Sequence, residues 1–237
     1  MVENIENLVN WRHGLIPEDL MKFRWLDELA LSPDGRRVAY IIRHPDSDTN
    51  NYISHLYLRD LEAPAPDRLT RGNCQVSSIA WSRDGSQLAY NHRTEAGEAI
   101  HVLSVQDNVE RIYPIDGSSL TGLDWSADGT KLVGVRWTTI QHPEDRGPVS
   151  NVPKPSIKVI RRLRYKQDGV GWVHDRFKQI WILELTTGDF VQVTHSECDY
   201  SSPKCSLNSA RLAFVGMARE QDVSLGYGQI FICDYPG

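Results

Sequence analysis

The chain has 237 residues, of which 40% are hydrophobic and 24% are charged, and its formal net charge is −5. This composition is that of a folded globular protein and argues against intrinsic disorder. The negative balance gives no electrostatic reason to expect a nucleic acid or a membrane surface as a partner. No stretch approaches the ~20 apolar residues that are needed to cross a bilayer.

The N-terminal region predicts a helix rather than a targeting segment. Residues 1–11 are acidic and polar and lack the basic and apolar regions of a signal peptide, so we expect a cytoplasmic protein. Residues 17–29 predict a helix that starts at Pro17 and carries Glu18 and Asp19 in its first turn. The 4 cysteines and 8 histidines show no metal-ligand spacing. We therefore expect reduced thiols, no metal and no cofactor.

Four ten-residue segments align without gaps and form an internal repeat. They begin at Leu31, Trp81, Trp125 and Cys205, and the first reads Leu-Ser-Pro-Asp-Gly-Arg-Arg-Val-Ala-Tyr. The Ser-x-Asp-Gly core predicts a turn in which glycine tolerates positive φ and aspartate caps backbone N–H groups. Apolar residues on both sides of the turn predict a β-hairpin. The fourth copy is the weakest match.

The spacing of the repeats predicts propeller blades. A third strand is predicted after each hairpin, and a fourth strand after the first three. Four short antiparallel strands that recur every ~40–50 residues are typical of a β-propeller. We therefore predict an all-β, WD-like β-propeller of about four blades, with the last incomplete, behind a short N-terminal helix. The blades are expected at about 26–72, 75–116, 120–195 and 200–237.

Two readings of the incomplete fourth blade remain open. The chain looks like the front part of a larger propeller, because residues 17–29 do not read as a strand that could complete the last blade. A closed four-bladed disc is the alternative. In the first case, open blade edges predict self-association, since unpaired strand edges template pairing with other chains.

The third blade contains an insertion at about 138–178, between its second and third strands. The Ser-x-Asp-Gly turns all open on one face of the disc, so the insertion and the acidic loop 44–48 emerge on the opposite face. Long loops on a rigid scaffold commonly carry function.

The candidate site residues lie in this insertion. They are the arginine, aromatic and acidic side chains Arg161, Arg162, Arg164, Tyr165, Asp168 and Trp172. Arginine suits peptide carboxylates, and tyrosine and tryptophan contact apolar groups at low entropic cost. These residues predict an arm that faces a substrate or another domain. The alternative is that the arginines pair with Asp168 and Asp175 and only fix the insertion to the disc.

Other conspicuous residues have structural interpretations. Trp81 and Trp125 share one repeat position and are expected to pack between adjacent blades. His44 and Asp46 flank Pro45 and predict a solvated turn rather than a general base with its orienting carboxylate.

The repeat resembles the WD-like propeller repeat of TolB-like proteins and of the prolyl oligopeptidase family of serine peptidases. Residues 16–20, which lead through Trp25 into the first repeat, look like the N-terminal entry of the acylaminoacyl-peptidase-like branch. The segment from Arg161 to Trp172 is similar to the Arg-Tyr-x-x-Asp-Gly-x-Gly-aromatic segment of that branch. The resemblance covers essentially the whole chain.

The resemblance implies that the propeller and a second domain have different roles. In that family a propeller precedes a C-terminal α/β-hydrolase domain that holds a Ser, Asp and His triad, and the propeller restricts access to peptides. It implies three partners: further propeller blades, the hydrolase domain, and a peptide substrate of the full-length enzyme.

No catalytic residue is predicted in this chain. The sequence has no Gly-x-Ser-x-Gly motif, and its nearest approach, residues 117–122, has the wrong spacing. The alternatives to a peptidase propeller are a non-enzymatic interaction module and a TolB-like scaffold.

Overall fold

The computed structural model describes residues 14–139, 165–168, 171–173, 176–208, 210–216 and 228–235. Antiparallel strands form four blade-like sheets and one two-stranded hairpin in the described ranges, which confirms the predicted all-β, propeller-like fold. Within the described ranges, no helix is long and apolar enough to span a membrane.

Each sheet has the strand order of a propeller blade. Blade one contains β1 (Trp25–Leu31), β2 (Arg37–Asp46), β3 (Asn51–Asp60) and β4 (Asp67–Arg68). Blade two contains β5 (Gln75–Trp81), β6 (Gln87–Thr94), β7 (Gly97–Ser104) and β8 (Val109–Ile115). Blade three contains β9 (Thr121–Trp125), β10 (Lys131–Thr139), β13 (Arg176–Glu184) and β14 (Phe190–Gln192). Between β10 and β13 the chain forms a separate short hairpin of β11 (Lys166–Gln167) and β12 (Gly171–Trp172). Blade four contains β15 (Tyr200–Cys205), β16 (Arg211–Gly216) and β17 (Gln229–Asp234).

The Ser-x-Asp-Gly segments form the predicted turns with one repeated set of hydrogen bonds. In blade one, the Ser32 hydroxyl donates to Asp34 at 2.6 Å and accepts from the Arg37 backbone N at 2.9 Å. Gly35 adopts a positive φ of 72°, which a side chain would disfavour. Blades two and three repeat this arrangement, and blade four keeps it with Asn208 in place of aspartate.

The first strands of consecutive blades are neighbours: β1 packs against β5, β5 against β9, and β9 against β15. Three apolar clusters fill the spaces between the four sheets. The predicted packing of the repeat tryptophans is confirmed, because Trp125 is buried in the cluster between blades two and three, and Trp81 packs against the cluster between blades one and two.

Polar contacts fix each joint between blades. The Trp81 indole donates to the carbonyl of Ala30 at 3.1 Å, and the Trp125 indole donates to Ala80 at 3.0 Å. At the joint between blades three and four, where Cys205 replaces tryptophan, Asp124 accepts from the Cys205 backbone N at 2.9 Å instead.

The predicted helix at 17–29 is wrong over its second half. A 3-10 helix spans only Pro17–Lys22, and Trp25 to Leu31 form β1. The helix is held by the buried Asp19 carboxylate, which accepts from the Ile16 backbone N at 3.2 Å and from Lys22 Nζ at 2.8 Å. The residues that follow prefer the sheet because they pair with β2 along its length.

The two strands that flank the insertion in blade three are long. The ladder between β10 and β13 continues to the pair formed by Thr139 and Arg176. The two strands therefore extend beyond β9, and the connection leaves the sheet between residues 139 and 176.

Candidate functional site: cavities on the insertion face

Two cavities open on one face of the array of blades. This face, which we call the insertion face, carries the connections β2–β3, β6–β7 and β10–β13. The first cavity, of about 310 Å³, is lined by residues of blades one and two and of the following connector. The second cavity, of about 600 Å³, is lined by residues of blades two and three. Arg93 and Ser119 line both cavities.

The first cavity has paired charges and the Tyr52 ring in its wall. Arg43 lies 2.8 Å from Asp27 and stands 5.4 Å and 5.1 Å from the ring centroids of Trp25 and Tyr52. The guanidinium is therefore held by a carboxylate and by two π-faces at once. Arg93 likewise contacts Glu98 at 2.6 Å.

Basic and hydroxyl side chains line the second cavity. Its charged lining residues are Arg93, Arg176 and Lys178, and its neutral lining residues include the hydroxyl side chains Ser118, Ser119, Thr121 and Thr139. Trp137 forms one wall, with the Arg176 guanidinium 5.4 Å and the Lys178 ammonium 5.3 Å from its ring centroid. Such a surface can bind an anionic or carbonyl-rich ligand.

A histidine and a cysteine form a buried polar group between blades one and two. His55 Nε2 lies 2.5 Å from an Arg68 nitrogen, and His55 Nδ1 lies 3.4 Å from Cys74 Sγ. Burial, helped by the charges of Arg68, His44 and His92, lowers the pKa of His55 to about 4. Burial also raises the pKa of the Cys74 thiol. A nucleophilic cysteine needs a lowered pKa, so this pair is structural.

A second buried group lies nearby on blade two. The Tyr90 hydroxyl donates to Glu110, and His101 Nδ1 lies 3.0 Å from the same carboxylate. The hydrogen bond from His101 is the main cause that lowers the pKa of Glu110. These contacts pair the Glu110 carboxylate with two side chains of the same blade, so the group supports the fold.

The structure places only half of the predicted site residues. Arg161, Arg162 and Arg164 lie outside the described residues. Tyr165 and Asp168 have exposed side chains, and Asp168 lies in the turn between β11 and β12. Trp172 belongs to β12, where it pairs with Lys166. The arm that faces a substrate or another domain therefore stays a prediction.

The sequence interpretation missed the cavity residues Arg93, Trp137 and Lys178. A signal was present in the repeat, because Arg43, Arg93 and Trp137 occupy equivalent positions near the end of the second strand of blades one to three. Equivalent positions in consecutive blades come to the same face of a propeller. Lys178 is identified only by its strand partner, Trp137.

Two smaller expectations can be compared with the structure. The predicted turn at His44 and Asp46 is wrong in its position. Both residues belong to β2, where they pair with β3, and the turn follows at residues 47–50. Asp46 accepts hydrogen bonds there from the backbone N and the hydroxyl of Thr49. Within the described ranges, no three His, Cys, Asp or Glu side chains are arranged to hold a metal ion.

The chain is similar in sequence to known proteins. No family model matches the sequence. The chain is 24% identical over 193 residues to the uncharacterized peptidase YuxL of Bacillus subtilis, covering 81% of this chain and 29% of YuxL. It is 27% identical over 154 residues to dipeptidyl-peptidase 5 of Porphyromonas endodontalis, covering 64% of this chain and 22% of that protein. The chain is homologous to peptidases.

Solved structures place the fold among the propellers of such enzymes. Acylaminoacyl peptidase of Pyrococcus horikoshii superposes with a TM-score of 0.66 at 14% identity, over 90% of this chain and 31% of that enzyme. TolB of Acinetobacter baumannii superposes with a TM-score of 0.54 at 15% identity, over 90% of this chain and 41% of TolB. The resemblance inferred from the repeats is thereby confirmed. The chain spans less than a third of the length of YuxL and of dipeptidyl-peptidase 5.

Proposed function

We propose that this chain is the front part of the propeller of a serine peptidase of the prolyl oligopeptidase family, and that its insertion face turns toward a hydrolase domain and regulates the entry of peptides. The observation that carries this proposal is the combination of a propeller fold with sequence similarity to peptidases over 81% of the chain. The hydrolase domain and further blades are its partners, and a peptide is the substrate of the whole enzyme.

The distribution of side chains supports the insertion face as the functional one. The opposite face consists of the repeated Ser-x-Asp-Gly turns, whose polar groups bind one another. The insertion face has two cavities with arginine, lysine and aromatic side chains at their walls. Such groups contact peptide carboxylates, carbonyls and apolar side chains.

Catalysis belongs, in this proposal, to the hydrolase domain. A serine nucleophile needs a base and an oxyanion hole, and the sequence contains no Gly-x-Ser-x-Gly motif that would supply the nucleophile. The purified chain should therefore remain unlabelled by a fluorophosphonate probe. Stoichiometric labelling of any serine would contradict this assignment.

The regulatory role is tested in the longest open reading frame that contains this chain. That protein should hydrolyse short peptides and a small ester, and the combined changes Arg161→Ala, Arg162→Ala and Arg164→Ala should alter KM for peptides but not for the ester. The ester reports on the hydrolase site alone. Arg36→Ala, an exposed arginine on the turn face, is the control and should change neither.

Two results would contradict the proposal. One is an open reading frame that ends without a hydrolase domain. The other is a triple variant that unfolds at a much lower temperature while its peptide kinetics stay unchanged, since the arginines would then only fix the insertion to the disc.

A non-enzymatic scaffold is the second candidate, and the superposition with TolB favours it. In that case the same insertion face binds a protein or peptide without cleaving it. The fluorophosphonate probe separates the two functions: it should label the full open reading frame of a peptidase and leave that of a scaffold unlabelled.

A further inference from the structure

The two ends of the array of blades do not meet. Among the strands that the structure describes, none of blade one contacts a strand of blade four. Within the same described ranges, blade four has three strands where each earlier blade has four. The described blades therefore form an open arc with a sheet face exposed at each end.

The exposed face of blade four repeats a face that is covered inside the array. We call it the tail face, and it lies opposite the core that blade four shares with blade three. Its residues pair across the β16–β17 ladder and are Ala213, Val215, Ile230 and Ile232. The equivalent residues of blade one, which blade two covers, are Ala39, Ile41, Leu56 and Leu58. At the tail face Ile230 and Ile232 are exposed, so blade four presents the surface that receives a following blade.

The exposed face of blade one repeats the other half of that joint. We call it the head face, and its residues, which lie on one side of the β1–β2 ladder, are Leu29, Leu31, Val38 and Tyr40. The equivalent residues of blade two, which pack against blade one, are Ile79, Trp81, Leu88 and Tyr90. In the head face Leu29 and Leu31 are exposed, and the ring of Tyr40 stacks on that of Tyr57 with 5.4 Å between the centroids.

The tail face and the head face match as the two halves of one joint. The tail face keeps the alanine of the blade-one face and has β-branched residues in place of its isoleucine and two leucines. The head face keeps the tyrosine of blade two. Leu31 lacks the indole donor of Trp81, but Cys205 shows that a joint of this molecule forms without that donor.

The number of blades sets the number of copies that can close a ring. A contact between unlike faces of identical chains produces a closed ring or an endless filament. Two chains of four blades each give eight, which is the upper end of the usual range of about 4–8 blades in a propeller. A third chain would exceed that range, so closure requires two copies.

We infer that a second copy of this chain is the partner that covers both end faces, in a head-to-tail dimer that closes an eight-bladed ring. Each head face packs against the tail face of the other copy, so the dimer has two equal interfaces related by a twofold axis. In a longer protein that contains this chain, further blades would take the place of the second copy.

Sedimentation velocity on the purified chain tests the stoichiometry. We expect one associated species with twice the chain mass of 26.9 kDa, in exchange with monomer as the concentration falls. A chain that is monomeric at every concentration would overturn the inference. A ladder of growing oligomers would also overturn it, because the contact would then not close.

Charged substitutions on one face at a time test the head-to-tail arrangement. The tail variant is Ile230→Lys with Ile232→Lys, and the head variant is Leu29→Glu with Leu31→Glu. Each alone should raise the dissociation constant of the dimer about tenfold or more, because a charge would be buried in an apolar contact. Val109→Lys with Ile112→Lys is the control on the outer strand of blade two, where both residues are similarly exposed, and it should dimerise like the wild type.

Mixing the two variants gives the most specific result. A ring with one copy of each has one unchanged interface and one in which lysines face glutamates, so an equimolar mixture should form a dimer with one copy of each variant. A fluorescent label on the head variant lets sedimentation distinguish this dimer from a dimer of like copies. Recovery of the dimer also shows that both variants are folded, and circular dichroism melts check this independently.

Two results of the variants would overturn the inference. One is a head variant that dimerises like the wild type while the tail variant does not, since the contact would then join two tail faces. The other is a mixture of folded variants that stays monomeric. Neither result bears on the peptidase proposal, which is tested in the longest open reading frame with a fluorophosphonate probe.

Discussion

The two indole hydrogen bonds at the joints between blades contribute differently to stability because one is buried and the other is partly exposed. The Trp125 indole is 2% exposed and its acceptor, the Ala80 carbonyl, is buried. Trp81 makes the same bond to Ala30, but both residues are partly exposed. A carbonyl that can reach water loses little when its partner is removed, whereas a buried one bears the cost of desolvation.

Replacing these tryptophans by phenylalanine should therefore have unequal effects. Trp125→Phe should lower the free energy of unfolding by about 0.5–1.5 kcal/mol from the lost buried hydrogen bond, with a further loss from the smaller ring. Trp81→Phe should cost less than about 1 kcal/mol. Urea denaturation of both variants measures the difference, and equal losses would show that the indole bond is not what distinguishes the two sites.

His55 makes stability depend on pH. Its pKa is about 4 in the folded chain and about 6.5 in an unfolded chain, so the unfolded state binds more protons between these values. Its contribution is complete above pH 6.5 and is lost as the pH falls toward 4. In His55→Gln the loss of stability between pH 7 and pH 5 should be smaller, with a difference of at most about 1.4 kcal/mol per pH unit.

Denaturant titrations of wild type and His55→Gln at pH 7, 6 and 5 test this dependence. The comparison isolates His55 because the other titrating groups are common to both proteins. Parallel loss of stability in the two proteins would show that this histidine does not set the acid sensitivity.

At the scale of strands, blade three shows how one position of the repeat is adapted. The last residue of the ten-residue repeat is aromatic in blades one, two and four, where it is Tyr40, Tyr90 and Phe214, and it is Gly134 in blade three. Trp181 faces Gly134 across the ladder, so the partner strand supplies the ring. A Cβ at Gly134 would lie 2.6 Å from Leu120 Cγ and 3.0 Å from the Thr121 carbonyl oxygen. The glycine therefore makes room for the connector from blade two.

Gly134→Ala should destabilise the joint between blades two and three, typically by about 1–3 kcal/mol, because overpacking in a dense core forces neighbours to move. A thermal melt of the variant measures the loss. Gly14→Ala is the control, since nothing lies within 4 Å of a Cβ at that position. A stable Gly134→Ala would show that Leu120 can move without cost.

The strands and turns could be predicted from the sequence because the repeat carries their chemistry. Ser32, Asp34 and Gly35 form a turn from local contacts alone, so their pattern was sufficient. The strand at Trp25 was missed because its helix-like entry, Pro17 to Asp19, lies immediately before it, and only pairing with β2 determines that it is extended. The second cavity could be predicted only in part, because Arg93 and Trp137 share a repeat position whereas Lys178 joins them only through its pairing with Trp137.

At the scale of the whole molecule, both ends of the array present apolar faces. Ile230 and Ile232 on β17 are 76% and 64% exposed, and Leu29 and Leu31 on β1 are 57% and 55% exposed. On β17 these residues alternate with Phe231 and Cys233, which pack against the core between blades three and four. The exposed sides are thus the ones that a further blade would cover in a longer propeller.

The isolated chain should self-associate through these faces. Ile230→Thr with Ile232→Thr keeps β-branched side chains but removes apolar area, and should shift the chain toward monomer. Size-exclusion chromatography with light scattering measures the change. The control, Val109→Thr with Ile112→Thr, alters two similarly exposed residues on the outer strand of blade two and should have little effect. Wild-type chain that is monomeric at all concentrations would contradict the prediction.

The indole bonds described above also bear on how such a repeat can change by recombination. Each tryptophan donates to the blade before it, so a blade carries its own donor and offers its own acceptor to the next one. Tandem duplication of a whole blade preserves both halves of every joint. Inserting a blade that lacks the donor removes this hydrogen bond, and the joint then needs another contact, such as the one that the Asp124 carboxylate accepts from the Cys205 backbone N. This pairing should therefore favour the gain of complete blades over the exchange of single strands.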